Sequence, residues 1–177
     1  MISVEYRELV AEDCERMKDM DASHYIKKAW REVDGKRRLI DINYQDPDWA
    51  NGYEQHYNHL RETIVTAGAA IGAFNSEDKL VGFATVNREQ FGTKYRYVLL
   101  DQLFITLEHR NKGIGKKLFL MIADTVKAWN VDKLYICSNS SEETVALYHG
   151  LGCIEAIEIN QKLYECDPRD FQLEFKL

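Results

Sequence analysis

Residues Tyr97 to Trp129 constrain the fold more than any other part of this chain. YVLLDQLFIT (Tyr97–Thr106) is apolar enough for a central strand, and Lys116–Trp129 carries Leu118, Ile122, Val126 and Trp129 on one helical stripe. Between them EHRNKGIGKKLF (Glu108–Phe119) gathers Arg110, Lys112, Lys116 and Lys117 around two glycines. A strand that passes through a glycine loop into a helix aims the loop amides and the helix N-terminus the same way, with about half a positive charge. Such a loop suits a phosphate. Glycine at 113 and 115 lets the backbone approach a ligand without Cβ interference.

Spacing separates three phosphate motifs. A P-loop requires glycine at Arg110 and Ser or Thr at Lys117, and a dinucleotide GxGxxG loop requires glycine at Leu118, so both fail. The pattern [Gln/Arg]-x-x-Gly-x-[Gly/Ala] is met in full by Arg110-Asn111-Lys112-Gly113-Ile114-Gly115.

The rest of the pattern reads as a mixed α/β (α+β) domain with a largely antiparallel central sheet flanked by helices. Val4–Leu9 reads as a strand and Ala11–Met20 as a helix, acidic early and basic late. Two arms over Tyr25–Tyr44 enclose Asp34-Gly35, a type I′ hairpin signal. Asn51 and Glu54 suggest a capping box ahead of a helix bearing Tyr53, Tyr57, Leu60 and Ile64, with a stop at Gly68. Ala69–Phe74 and Leu80–Val86 form a second hairpin, and Leu134–Cys137 a short buried strand. Glu143–Leu151 reads as a helix capped by Ser140 or Ser141, and Cys153–Ile159 and Phe171–Leu177 as the last strands. The final strand alternates strictly; periodicity does not separate a dimer edge from an ordinary sheet strand.

At 177 residues the chain is expected to be a single domain, residues 1–177. A formal net charge of −6 argues against nonspecific nucleic-acid binding. No window approaches a membrane span and no signal sequence opens the chain. Cys14, Cys137, Cys153 and Cys166 form no CxxC pair, so free thiols in the cytoplasm are expected, and no metal. The five scattered histidines suggest no metal site, and His56 and His59 read as packing or surface residues.

The hexad Arg110–Gly115 between strand and helix, followed by ALYHGLGC (Ala146–Cys153), resembles the GNAT superfamily of acetyl-CoA-dependent N-acetyltransferases. The resemblance covers roughly residues 80–177 well. It implies a GNAT-like fold in which 97–153 is the acetyl-CoA-binding core and the hairpin and helix of 24–68 bind the acceptor. It further implies that backbone amides of Arg110, Asn111, Lys112, Gly113, Ile114, Gly115 and Lys116 hold the pyrophosphate, and that Phe104 and Ile105 pair with the pantetheine arm. Asn139 and Ser141 then border the cofactor, and Tyr148 falls near the thioester sulfur. Cys153 stands where the family usually has phenylalanine, a change of packing.

Attack of an amine on a thioester needs a neutral nitrogen, a stabilised oxyanion and a protonated leaving thiolate. Tyr148 suits the proton donor, a backbone N–H near Ile105 the oxyanion, and Asp101 on the preceding strand the base. Alternation puts Leu99, Asp101 and Leu103 on one face and Leu100, Gln102 and Phe104 on the other. Asp101 thus faces either the cleft or a core where it would need a partner.

Aromatic and acidic residues of 24–68 (Tyr25, Trp30, Tyr44, Trp49, Tyr53 and Tyr57 with Glu32, Asp34, Asp41, Asp46 and Asp48) suit a cationic acceptor, or equally a core and a solvated surface. The Asp34-Gly35 hairpin ahead of the DPDW segment is similar to streptothricin-acetyltransferase-like members, and names no substrate. The expected activity is transfer of acetyl from acetyl-CoA to a small-molecule primary amine by direct attack in a ternary complex. Protein or peptide N-acetylation and a noncatalytic acyl-CoA sensor stay open.

Overall fold

The computed structural model describes residues 3–177. Nine strands and four α-helices follow in the order β1 (Glu5–Glu8), a 3-10 helix (Ala11–Asp19), β2 (His24–Val33), β3 (Lys36–Asp46), α1 (Tyr53–Val65), β4 (Ala69–Phe74), β5 (Leu80–Phe91), β6 (Tyr97–Ile105), a short 3-10 turn (Leu107–His109), α2 (Ile114–Lys127), β7 (Lys133–Ser138), α3 (Glu142–Gly150), β8 (Ile154–Glu155), α4 (Gln161–Cys166) and β9 (Phe171–Lys176). Seven strands make one sheet, ordered β1-β4-β5-β6-β7-β9-β8, and β2 and β3 form a separate hairpin. The single parallel pair is β6 with β7, the two strands that α2 connects. The mixed, mostly antiparallel sheet flanked by helices is the expected architecture.

Each face of the sheet buries its own core. On one face α2 lays Leu118, Ile122 and Val126, all fully buried, against Val98, Leu100, Leu134, Ile136 and Leu173. This is the stripe that the helical spacing placed. On the other face α1 and the first 3-10 helix bury Leu60, Cys14 and Met17 with Trp49, Phe74 and Phe83. The hairpin turns through Asp34 (φ 52°) and Gly35 (φ 72°), the two positive values of a type I′ turn.

Four local expectations change. The Asn51–Glu54 capping box does not form: Gly52 is the N-cap of α1, and no side chain accepts its first N–H groups. Asn51 lies in the left-handed region (φ 66°), which turns its amide away from that role. At the other end Ala67 (φ 60°) takes the left-handed position, and Gly68 follows it. The strand over Cys153–Ile159 shrinks to Ile154–Glu155, and α4 follows, with Asn160 Oδ1 accepting from the Leu163 N–H at 3.1 Å. Finally β9 lies inside the sheet between β7 and β8, so its alternation supplies no dimer edge.

Both faces of β9 are buried, which explains a core strand containing Gln172 and Glu174. Tyr135 Oη donates to Gln172 Oε1 at 2.7 Å, and Tyr97 Oη donates to Glu174 Oε2 at 2.7 Å. Glu174 also accepts from Lys133 Nζ and from the Ile157 N–H. Burial opposes ionisation of Glu174, but donation from Lys133, Tyr97 and Ile157 outweighs it and holds the carboxyl below its ordinary range. This buried pair ties β6, β7 and β9 together.

Candidate active site

The site begins where two parallel strands part. Register between β6 and β7 runs from Tyr97↔Lys133 to Leu100↔Ile136 and then stops. Beyond it β6 pairs only with β5 and β7 only with β9, so a gap opens between Asp101–Ile105 and Cys137–Ser138. Asp101 and Cys137 are the first residues past the last pair.

One edge of β6 faces this gap unpaired. The Thr106 N–H donates to Val81 O on β5 at 2.9 Å. In an antiparallel ladder alternate residues turn their N–H and C=O groups to the same side, so those of Ile105 and Leu103 point away from β5 into the gap. The Ile105 carbonyl is already taken, by Arg110 Nε at 3.0 Å. Phe104 turns its backbone to β5 and its ring to Trp49 and His56, with centroids at 5.0 and 4.9 Å. Of the two residues expected on the pantetheine arm, Ile105 therefore offers a free backbone N–H and Phe104 offers neither group. Leu103 is the residue that sequence reasoning missed, because the face of a backbone edge follows from its partner strand.

The glycine loop stands at the mouth of the gap. Asn111 (φ 60°) and Gly113 (φ 82°) both take left-handed conformations, and Gly113 is the N-cap of α2 without a side-chain cap. The N–H groups of the first turn, from Ile114 to Lys116, are thus left to a ligand or to water. Space around Gly113 is open, whereas a Cβ on Gly115 would meet Ile105 Cγ1 at 3.6 Å, an ordinary contact. The glycine requirement at 113 is one of backbone conformation, and at 115 it is one of access. Arg110 is half-buried and braces the end of β6, and burial pulls its pKa below the ordinary value. Lys112 Nζ bonds the Glu108 carbonyl.

On the far lip, α3 positions Tyr148. Ser141 caps this helix: its Oγ accepts from the Thr144 N–H at 3.3 Å and donates to Thr144 Oγ1 at 2.8 Å. Asn139 Oδ1 accepts from the Ser141 N–H at 3.0 Å. The Ser141 hydroxyl is therefore committed to the helix start, while the Asn139 side chain is exposed and keeps its amide donors. Tyr148 is buried, with its ring edge-on to Phe119 at 6.3 Å. Its hydroxyl has no hydrogen-bond partner among the described residues. Burial, followed by the neighbouring Cys153 and Cys137 thiols, raises its pKa well above the usual tyrosine value. It stays protonated at every physiological pH.

Asp101 occupies a β-bulge. Thr85 pairs with Gln102 and the next residue, Val86, with Leu100, so Asp101 has no partner on β5. The bulge also corrects the alternation expected for this strand. Leu100 shares the α2-facing core with Leu103 and Ile105, whereas Asp101, Gln102 and Phe104 all turn toward α1. Asp101 Oδ2 lies 3.2 Å from His59 Nδ1. Burial raises the pKa of this carboxyl, with His59 and His56 opposing the rise. On β5 the residues Asn87–Glu89 leave the ladder at the same level, and a cleft of 330 Å³ opens there, lined by Asp101, His59, Glu62, Thr63, Asn87 and Glu89 among others.

Cys137 is the first residue of β7 past its last pair with β6, and its Sγ lies 3.6 Å from Gln172 Oε1. Burial and then Asp170 push the Cys137 thiol up to about 12, and burial pushes Cys153 to about 12. Neither is a thiolate nucleophile at neutral pH.

The aromatics of 24–68 divide. Trp49 is 5% exposed, and Tyr53 and Tyr57 stack at 6.0 Å against the first 3-10 helix, where Tyr57 Oη donates to Glu15. Trp30 meets Phe171 edge-on at 6.3 Å. Tyr25 and Tyr44 are exposed. Among the described residues no group of three or more His, Cys, Asp or Glu side chains is arranged to hold a metal, and no helix is long and apolar enough to cross a membrane.

A parting parallel pair with a glycine loop at its mouth and a buried tyrosine on α3 is the arrangement that the resemblance led us to expect. The model of the Acetyltransferase (GNAT) family matches residues 36–153, and the chain belongs to that family. No curated protein matches it in sequence. Among solved structures the chain is similar to nourseothricin acetyltransferase, at 16% identity and a TM-score of 0.71 over 98% of each chain. It is similar to a Bacillus anthracis (strain Ames) protein described as a streptothricin acetyltransferase and solved with acetyl coenzyme A, at 14% identity and 0.68 over 99% of this chain and 98% of that one. The PaiA N-acetyltransferase of Thermoplasma acidophilum, solved with coenzyme A, follows at 18% and 0.62 over 99% and 100%. At such identities the likeness is one of fold.

Proposed function

We propose that this protein is an N-acetyltransferase that moves the acetyl group of acetyl-CoA to a primary amine of a small molecule, by direct attack in a ternary complex. One observation carries the reading. Past the last β6–β7 pair the strands part beside an uncapped helix start, Asp101 is the first residue of β6 beyond that point, and Tyr148 on α3 is buried with no partner for its hydroxyl among the described residues. Names of the similar structures support the small-molecule acceptor, since two are called nourseothricin and streptothricin acetyltransferases.

The residues present fit acetyl-CoA. The amides of the Arg110–Lys116 loop, with the open space at Gly113, would hold its pyrophosphate, and the unpaired backbone groups of Leu103 would receive the amide groups of its arm, leaving the free N–H of Ile105 for the thioester. The exposed amide of Asn139 stands free to assist. When bound, the cosubstrate supplies a thioester carbon to the amine and a thiol as leaving group. Asp101 takes the proton that the ammonium must lose, the Ile105 N–H stabilises the oxyanion, and Tyr148 donates a proton to the departing sulfur. In this reading residues 1–177 act as one domain, with 97–153 as the cofactor-binding core and 24–68 on the acceptor side. The cysteine spacing carries the further expectation that the reaction runs in the cytoplasm.

A thiol-release assay over a panel of primary amines tests the proposal, together with the melting shift produced by acetyl-CoA. The expected result is a shift with acetyl-CoA alone and free thiol with at least one amine. No shift at millimolar acetyl-CoA would remove the cofactor; a shift without turnover over the whole panel would favour the sensor.

A further inference from the structure

His56 and His59 stand one turn apart on α1, and each meets a side chain of β6. His56 Nδ1 lies 2.9 Å from Gln102 Oε1, and His59 Nδ1 lies 3.2 Å from Asp101 Oδ2. Successive residues of a regular strand point to opposite faces, so a single helix could not meet both 101 and 102. The bulge removes that restriction by turning both side chains toward α1. The spacing of two histidines on the helix thus matches an irregularity in the strand beneath it.

The pair is asymmetric. The Asp101 side chain is 14% exposed and that of His59 is 45% exposed. An ionised carboxylate only accepts hydrogen bonds, so Nδ1 of His59 must carry the proton and donate it to Oδ2. Oδ1 has no hydrogen-bond partner among the described residues. The carboxylate is held by one oxygen and free at the other.

We infer that His59 is a positioning residue for acetyl transfer: by donating from Nδ1 to Oδ2 it fixes the Asp101 carboxylate so that Oδ1 takes the proton of the attacking amine. The inference rests on the reading of Asp101 as the base. In the step an N–H bond of the ammonium breaks, its electron pair stays on nitrogen, and an O–H bond forms at Oδ1. The proton afterwards leaves to water through the cleft at His59. The charged and titratable groups facing Asp101 are His56, His59 and Glu62 from α1, Arg88 and Glu89 from β5, and Cys137 from β7. Burial raises the Asp101 pKa, the two histidines lower it and Glu62 raises it. Without His59 the carboxyl should titrate at higher pH.

Carbon NMR of the Asp101 carboxyl measures this in the ligand-free chain. The midpoint should rise in His59→Ala and return toward the native value in His59→Asn, whose amide N–H can stand where Nδ1–H stood. With the first panel amine to turn over, the acid limb of kcat/KM should rise with the midpoint in His59→Ala, and kcat should fall about tenfold, the size of one lost hydrogen bond to a charged group. His59→Asn should recover most of that loss. Identical midpoints in all three proteins would overturn the inference. A midpoint that moves while the limb stays fixed, or an absence of turnover with every amine, would overturn it differently, by removing Asp101 as the base; the surviving pairing distinguishes the two failures.

Discussion

Residues 97–153 and the hairpin of 24–46 meet where β7 runs into α3, but they are held in opposite ways. The first is built into the sheet: β6 and β7 are buried on both faces, and the Glu174–Lys133–Tyr97 group joins them to β9. The second is an arm. It meets the rest of the molecule through the Trp30 N–H to Ser140 O bond of 2.8 Å, a bridge between Ala29 and Ser141, Arg31 Nη1 donating to Ser140 Oγ at 2.7 Å, the Trp30–Phe171 contact, and Arg37, which lies 3.8 Å over the Phe171 ring and 2.9 Å from Glu155. Disturbing the first should change the whole molecule, and disturbing the second should change little beyond the arm. In the proposed reading the cofactor side is fixed by the fold, and the arm is the part open to change with the acceptor.

The largest effect should follow Glu174→Ala. It leaves Lys133 charged and buried without its partner, and we predict a loss of roughly 3–5 kcal/mol in urea unfolding. A loss as small as that of a surface pair would erase the contrast between the two regions. Next, Tyr148→Phe should lower kcat about 100-fold while leaving the melting temperature unchanged, because the hydroxyl has no hydrogen-bond partner among the described residues. A lower melting temperature would make the tyrosine structural instead.

Gly113→Val should cost about 1–2 kcal/mol through its φ of 82° and abolish the acetyl-CoA melting shift. Gly115→Ala should keep the free protein intact, since the added Cβ sits at contact distance from Ile105. Equal behaviour of the two variants in differential scanning fluorimetry would contradict the separate requirements assigned to them.

At the junction of the two regions burial pushes the Asp170 carboxyl up to about 6. The unfolded value is about 3.9, so between these pH values the folded chain binds the extra proton and stability falls as pH rises. Asp170→Asn should therefore gain on the order of 1 kcal/mol at pH 7, after allowance for its partial exposure, and nothing at pH 3. Urea titrations at the two pH values decide it. The smallest change belongs to the arm: Arg37→Ala should cost less than about 1 kcal/mol, because its partner Glu155 is also exposed. A larger unfolding penalty would mean that the arm is part of the core after all.

Legibility follows the same division. The cofactor side could be read because its signals are local: a glycine spacing, a helical stripe, a cap at Ser141. Two features of the site could not. The Asp101 bulge has no local mark, since LLDQLFI alternates plausibly as written, and only the pairing with Thr85 and Val86 reveals the extra residue. His59 looked like a surface histidine because its partner is 42 positions away. Outside the site, α4 buries none of its six residues and so has no apolar stripe to find. The 24–68 aromatics were ambiguous for a related reason. Trp49, Tyr53 and Tyr57 pack inward while Tyr25 and Tyr44 stay exposed, and composition is the same for both outcomes.

The bulge has a consequence for how this strand tolerates insertion and deletion. Removing residue 101 altogether would leave Leu100 opposite Val86 and Gln102 opposite Thr85, a regular ladder from Gly82 to Val86 with every downstream side chain on its present face. One codon of the strand is thus surplus to the sheet. Residue 101 is the one position here that the ladder does not need, and the proposed role of Asp101 could be lost by deletion while the pairing stays whole.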